Sequence, residues 1–531
     1  MKWFRKWMRT KPGYPVIPEE LHTEDEENGG LTEDLEHNEW ILKRIFHNSS
    51  DIVFRHVQTA GRHHWLIIYF ATLVEEELIN DHILKPMIAA SEKQEGIVKT
   101  EWLDDQSISL GMTSVTSEVS VIVKQVLSGH AAVLTIGNCD AMMVKVNAKS
   151  TRSLDEPSSE PVIRGPRVGF IENISKNIGL IRSLIKTSRL KMETFTLGGL
   201  SQTQVVMTYI VGIASDHVID EVRERVARIK IDGILDSGYV EEFIEDSPFS
   251  PFPLVHSTER PDVVAAELLE GKVAILVDAS PFVLIVPMTF WTGLQASEDY
   301  YIRWPIATFV RWIRFLFISI AIFAPPLYVA ITTFNQEMIP TNLVLSIASS
   351  REPVPFPAVI EAFIMEVIFE ALREAGIRLP KQIGQAISIV GALVIGQAAV
   401  LAGIISAPVV IIVSITGIAA FTIPRYSFAN GIRLLRFPML FMAGTLGLYG
   451  IVIGLLAIVL HISSLRSFGV PYFTPAAPMV FSELKDVIIR APIWAKTRRP
   501  KETSISDTVR EPTGQKPSPG SAAEKGKEAP E

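Results

Sequence analysis

The 531-residue sequence predicts a soluble α/β N-terminal region of two subdomains plus an α-helical integral membrane domain of four to five spans. Three observations lead there. Charged residues are only 20% of the chain, below the ~25% of an average soluble protein. The apolar excess, 48% of all residues, is crowded into 305–465, whereas 1–304 reads as ordinary soluble sequence. Three uncharged stretches are too long for buried core helices: 20 residues at 315–334, 43 between Lys381 and Arg425, and 29 between Arg436 and Arg466. About 20 apolar residues cross a bilayer core, so the longest stretch is twice a span, and Ser406-Ala407-Pro408 near its middle marks a helical hairpin. A purely soluble enzyme, a fibrous protein and a disordered chain are excluded. The net charge of −8 argues against nucleic acid as a partner. A single cysteine, Cys139, leaves no disulfide framework and no Cys-based metal site within one chain, and no metal or cofactor is expected.

The elements follow in order. Residues 1–37 are a tail, basic and aromatic at MKWFRKWMRTK, then acidic. Its start suits either a short membrane-surface helix or a frayed end, and it lacks the apolar core of a signal peptide, so the N-terminal region is expected in the cytoplasm. Residues 38–146 form the first subdomain, with IIYFATLVEEELINDHIL as strand then helix and SEVSVIVKQVLSGHAAVLTI as helix then strand. A Ser/Pro-rich linker spans 147–162. Residues 163–294 form the second subdomain: HVIDEVRERVARI is an amphipathic helix, and VAILVDASPFVLIVPM is two strands joined at Asp-Ala-Ser-Pro. An interfacial hinge at 295–304 leads into the transmembrane domain, 305–465. A C-terminal helical segment, 466–496, and a disordered tail, 497–531, complete the chain.

Several constellations stand out. Thr258-Glu259-Arg260-Pro261-Asp262 suits a helix start capped by Thr258 or Asp262 with an internal ion pair to Arg260, or a latch at a subunit interface. Arg164-Gly165-Pro166-Arg167 reads as a constrained turn, with an anion or subunit contact through its arginines as the other possibility. Glu298, Asp299, Tyr300, Tyr301 and Arg303 precede the first span and suit an interfacial anchor or a coupling hinge, with Arg311 and Arg314 snorkelling to the same surface. The helix PAVIEAFIMEVIFEALREAG carries Glu361, Glu366, Glu370 and Glu374, the last three on one stripe. Carboxylates at membrane depth are costly unless they face water, a partner or an ion. In an oligomer they would form rings around a cation path; alternatively the helix lies at the interface with its acids in solvent. Ser414 and Thr416 are either pore-lining hydroxyls or bonded to their own helix backbone. Ala392–Gly396, Ala399–Gly403 and Gly450–Gly454 have spacing for tight helix packing. The pair His63-His64 lacks a partner at ligand spacing, and no P-loop, HExxH or GxSxG signature points to an enzyme.

Four long stretches, EPVIRGPRVGFIENISKNIGLIR, SPFSPFPLVHSTERPDVVAAELLEGKVAILVDASPFVLIVP, QASEDYYIRWPIATFVRWIRFL and PFPAVIEAFIMEVIFEALREAGIRLPKQIGQAISIVGALVIGQAAV, together resemble the A subunits of GerA-family spore germinant receptors, over about residues 38–490. The family also includes the SpoVA-associated F protein. The resemblance implies an inner-membrane protein of the endospore that works with a transporter-like B subunit holding the nutrient site and a lipoprotein C subunit. It also implies a homo-oligomer, a pentamer, forming a ligand-gated channel for monovalent cations. The SpoVA-associated paralogue, a non-conducting scaffold for the B and C subunits and a secondary transporter are the alternatives. The transporter is disfavoured because no internal repeat is evident. Basic clusters at 373–381, 425–436 and 466–501 do not all fit one topology under the positive-inside rule, and both termini are expected in the cytoplasm.

Overall fold

A computed structural model describes residues 29–58, 64–91, 113–147, 156–378, 394, 396–481, 483–503, 507–512 and 514–517. The N-terminal surface helix, the middle of the 147–162 linker, His63, Ala392, most of the first arm of the hairpin and the end of the tail lie outside the described residues. Contacts divide the chain into two compact units, Met1–Thr151 with Ile185–Lys191, and Arg152–Leu184 with Met192–Glu531.

The first unit is built on a five-stranded antiparallel sheet of order β1-β2-β4-β5-β3. Its strands are β1 (Ile52–Gln58), β2 (His64–Phe70), β3 (Thr113–Thr116), β4 (His130–Thr135) and β5 (Ala141–Lys145). Strand β2 is apolar on both faces because both are covered. Leu66, Ile68 and Phe70 pack with helices α1 (Leu35–Ile45) and α3 (Val119–Val126). Trp65, Ile67 and Tyr69 pack under α2, which runs Glu76–Ile79, through a π turn Asn80–Leu84, into Lys85–Ser91. Alternation of successive side chains across the pleat makes one strand serve two cores. Gly129, at φ +84°, turns α3 into β4 in a left-handed conformation that favours glycine.

In the second unit the sheet order is β6-β7-β9-β10-β8, with β6 (Leu190–Leu197), β7 (Thr203–Ile210), β8 (His256–Thr258), β9 (Val273–Val277) and β10 (Val283–Val286). Strands β9 and β10 pair antiparallel, as the Asp-Ala-Ser-Pro turn requires. Helix α5 (Asp216–Arg228) buries Val218, Ile219, Val222 and Val226, and α6 (Ser237–Ile244) buries Val240 and Ile244, against one sheet face. Helices α4 (Ile174–Leu184) and α7 (Pro261–Leu268) pack on each other.

The same unit contains the apolar helices. Among the described residues two are long and apolar enough to cross a membrane: α8 (Trp304–Phe334) and α12 (Tyr426–Ser464). Between them lie α9 (Thr341–Arg351), α10 (Ala358–Arg378) and α11 (Ala407–Phe421). At 1.5 Å per residue the 31 residues of α8 extend about 46 Å. Helix α12 is interrupted by Gly447 at φ +62°, and Gly450 lies against the Met442 carbonyl and Gly454 against Met439, so the two arms fold back on each other. The uncharged run after Arg436 is therefore not one straight rod, and the Gly450–Gly454 pair packs its own hairpin.

Two C-terminal expectations are corrected. The described residues 466–481 and 483–496 form a short hairpin, β11 (Arg466–Ser467) with β12 (Val470–Pro471), then turns with single 3-10 turns at Leu484–Asp486 and Ile493–Ala495, rather than the expected helix. Pro475, Pro478 and Pro492 each remove a backbone donor within the segment. Residues 497–503 and 507–512, expected to be disordered, are anchored: Arg498 bridges Val509, Arg499 Nε donates to the Leu269 carbonyl at 3.0 Å, and Thr503 is 3% exposed with its hydroxyl on the Glu270 carbonyl at 2.6 Å. The segment's polarity meets free backbone carbonyls at the end of α7.

Candidate functional site: a chain of buried charges

Three clusters of buried charge run through the second unit. The first is organised by Thr258-Glu259-Arg260-Pro261-Asp262. Pro261 opens α7 with its fixed φ, and the N-cap residue is Arg260, so neither Thr258 nor Asp262 caps the helix with its side chain. The Thr258 hydroxyl instead donates to Glu160 at 2.8 Å and accepts the Arg260 N–H at 3.2 Å. The fully buried Arg260 guanidinium donates to the carbonyl of Pro166 at 2.9 Å, to that of Glu160 at 3.3 Å and to Asp262 at 2.8 Å. Glu259 accepts the Ser159 N–H at 3.2 Å through its side chain and the Phe170 N–H at 2.8 Å through its carbonyl. The run thus clamps the 159–170 segment of its own chain. Glu160 continues the cluster to Arg425, the N-cap residue of α12. Burial pushes the Glu160 carboxyl up, but Arg425, His256 and the Thr258 hydroxyl outweigh it and leave it below the ordinary carboxylate range.

The second cluster sits at the start of α8. Asp299 is fully buried, and its Oδ2 accepts from Arg314 Nη1 at 2.6 Å, Arg311 Nε at 3.1 Å and the Ala296 N–H at 3.3 Å. Arg311 and Arg314, 2% and 9% exposed, are therefore turned into protein rather than snorkelling outward. The reason is charge pairing: one carboxylate between two guanidiniums satisfies groups that would otherwise be costly to bury. Arg311 and Lys496 also bond Asp486, and the Tyr300 hydroxyl donates to Asp486 at 2.9 Å. Tyr301 donates to Asp262, and Glu298 accepts the N–H groups of Ile163 and Arg164, so the pre-span residues tie the first cluster to the second. The Arg164 and Arg303 side chains are exposed, and Gly165, at φ +140°, lies where an added Cβ would strike the Tyr301 ring at 2.7 Å.

The third cluster lies among the apolar helices, where the four glutamates of α10 differ sharply. Glu361 is fully buried, pairs with Arg351 at 3.2 Å and accepts from the Ser406 N–H at 3.0 Å and its hydroxyl at 2.7 Å. Glu366 is buried and paired with Arg436, whose Nε also reaches the Ala321 carbonyl at 2.8 Å. Glu370 is half-buried with Arg433 at 3.5 Å and Arg373 at 3.8 Å, and Glu374 is exposed with Arg378 at 2.6 Å. The stripe of Glu366, Glu370 and Glu374 therefore runs from interior to surface, with an arginine beside each. Thr416 is buried with its hydroxyl on the Ile412 carbonyl at 2.7 Å, and Ser414 is exposed.

The spacing argument located the glutamates but missed their partners. Arg351 is the only charged base in 335–357, and Arg436 opens the 29-residue uncharged run that ends at Arg466. A lone cation beside apolar sequence is the signal that a buried carboxylate awaits it elsewhere in the chain. Asp486, Glu160 and His256 carried no such mark. His64 is exposed at the start of β2 and Cys139 is exposed. Among the described residues no His, Cys, Asp and Glu group has the geometry to hold a metal ion.

Comparison with known proteins places this arrangement. The profile of the Bacillus/Clostridium GerA spore germination protein family matches residues 40–502. The chain is 46% identical over 477 residues to an uncharacterized membrane protein, YfkQ, of Bacillus subtilis, covering 90% of this chain and 93% of the relative. It is 43% identical over 485 residues to spore germination protein KA and 39% identical over 485 residues to spore germination protein B1 of the same organism, covering 88% and 99% of those chains. A crystal structure of the N-terminal domain of the A subunit of the Bacillus megaterium spore germinant receptor GerK3 is 33% identical, with 49% of this chain and 98% of that chain covered and a TM-score of 0.40. With the family profile matching residues 40–502 and relatives aligned over about nine-tenths of this chain, the chain belongs to the GerA spore germination protein family.

Proposed function

We propose that this protein is the A subunit of a nutrient germinant receptor and that it assembles, as a pentamer, into a ligand-gated channel for monovalent cations in the inner membrane of the endospore. Four to five spans anchor it, both termini and the α/β region lie in the cytoplasm, and a transporter-like B subunit and a lipoprotein C subunit complete the receptor. Its role is signalling and conduction rather than catalysis. The observation that carries the reading is the ion pair of Glu366 with Arg436, buried at 1% and 2% side-chain exposure among apolar helices. A carboxylate in that setting is costly unless neutralised, and a cation can replace the arginine as its partner. In the reading, the closed state holds the α10 carboxylates on arginines, and opening exchanges those arginines for permeating cations. The clusters at Glu160 and Asp299 tie the α/β layer to the first turns of α8 and α12, which gives a mechanical route from soluble layer to helices.

Purified protein reconstituted in planar bilayers tests this directly, alone and with its B and C partners. The proposal expects cation current when partners and nutrient are present. No current under any combination would leave a second reading, a scaffold that only holds its partners, which is favoured by every α10 glutamate already having an arginine within its own chain.

A further inference from the structure

A cavity of about 230 Å³ lies between α6, strand β8 and the start of α12. Its volume is below the ~300 Å³ at which drug-sized pockets begin, which suits a small molecule. One wall is acidic. Asp236 caps α6, with one carboxylate oxygen on the Gly238 N–H at 3.1 Å and the other on the Ser280 hydroxyl at 2.5 Å. Glu241, one turn along the same helix, has neither an ion pair nor a side-chain hydrogen bond among the described residues. Burial, then Glu245 and Asp236, push its carboxyl up to about 7. Neither carboxylate has an ion-pair partner among the described residues, and the one guanidinium in the lining, Arg425, is paired with Glu160.

Two aromatic side chains with exposed surface, Phe282 and Tyr426, also line the cavity, and the buried Phe428 packs behind it. Ring faces attract organic cations, most strongly where water is excluded. His256 lines the same space, is 2% exposed, and neither ring nitrogen has a hydrogen-bond partner; its nearest carboxylate, Glu267, is 3.7 Å away. Burial, and then Arg425, hold that imidazole below its ordinary pKa, so it presents an unused lone pair rather than a second positive charge. Arg425 is paired with Glu160 through Nη1, and its Nε is buried without a partner. A buried imidazole and a buried guanidinium N–H, each without a protein partner, are satisfied by a ligand that both donates and accepts.

We propose that this cavity binds a small organic ammonium compound, its charge held by Glu241 and Asp236 against the rings of Phe282 and Tyr426 and its polar tail by His256 and the Arg425 Nε–H. The site is separate from the proposed conduction path, so its failure and the channel's failure are read independently. Isothermal titration calorimetry on the full chain in phosphatidylglycerol nanodiscs tests it with three probes: choline, its uncharged isostere 3,3-dimethyl-1-butanol, and potassium chloride. Choline should give saturable binding, the alcohol should bind at least tenfold more weakly, and equal concentrations of potassium should not displace choline. Glu241→Gln should weaken choline at least tenfold, and Phe282→Leu, which keeps an apolar side chain but loses the ring, should weaken it severalfold, with thermal unfolding of both variants close to wild type. Absence of saturable choline binding, equal binding of the alcohol, displacement by potassium, or an unchanged constant in Glu241→Gln would each overturn the assignment.

Discussion

Asp299 and Glu366 are both fully buried carboxylates paired with arginine, yet they are held very differently. Asp299 Oδ2 accepts three hydrogen bonds, two of them from Arg311 and Arg314, while Arg490 secures the Asp299 carbonyl at 3.1 Å. Glu366 has one partner, Arg436; in both acids the second oxygen is without a hydrogen bond, as are Arg311 Nη2 and Arg436 Nη2, so the difference lies in the number of bonds on the paired oxygen. The first arrangement is over-determined and acts as a structural knot at the entrance to α8. The second is bistable in principle, because a single exchange of partner releases it. A buried pair lost on one side leaves an uncompensated charge, so the number of remaining partners decides what each mutation does.

Asp299→Asn should have the largest effect. Two buried guanidiniums lose their shared counter-charge, at a cost of ~3–5 kcal/mol, and the folded protein in membranes should fall to a small fraction of wild type by immunoblot and thermal unfolding in detergent. Glu366→Gln strands only Arg436 and should destabilise by less than Asp299→Asn. The double variant Glu366→Met with Arg436→Met should recover most of that loss, since a matched apolar pair replaces a matched ionic one. If the double variant is as unstable as the single one, the pair is not the source of the effect. Smaller still is the effect expected at Glu241. Its carboxyl is raised from 4.5 to about 7 in the folded state, so the native protein binds the extra proton and stability declines as pH rises through that window. Between pH 5 and pH 8 the unfolding temperature should fall more in wild type than in Glu241→Gln, and parallel curves would contradict the assignment. Glu374→Gln, on an exposed i,i+4 pair with Arg378, should change stability by less than ~0.5 kcal/mol.

What could be read from sequence follows the range of the physics. The α/β layers, the β9–β10 turn and the amphipathic α5 are local patterns of period 2 or 3.6, and they are visible in VAILVDASPFVLIV and HVIDEVRERVARI. The α10 glutamates were visible for the same reason. Their partners were not, because Arg436 meets Glu366 across 70 positions and Arg425 meets Glu160 across 265. Spacing also misplaced Arg311 and Arg314: adjacency to an apolar run suggests an interface, but a buried acid twelve positions before Arg311 draws both inward. The fold-back at Gly447 had only a glycine among many to announce it, since continuous apolar sequence reads alike as one helix or two. The C-terminal segment lacks periodicity and is ordered by carbonyls it finds at the end of α7, a tertiary effect that composition cannot carry.

The central claim is that α10 carboxylates meet permeating cations when the receptor opens. Glu370 gives the cleanest test, because it is half-buried and loosely held by Arg433 and Arg373, so its replacement should leave the fold intact. Potassium release from nutrient-triggered spores carrying Glu370→Gln, at receptor levels matched to wild type and with Glu374→Gln as the exposed control, should be slowed severalfold in the first and unchanged in the second. Release at the wild-type rate in Glu370→Gln would contradict the account.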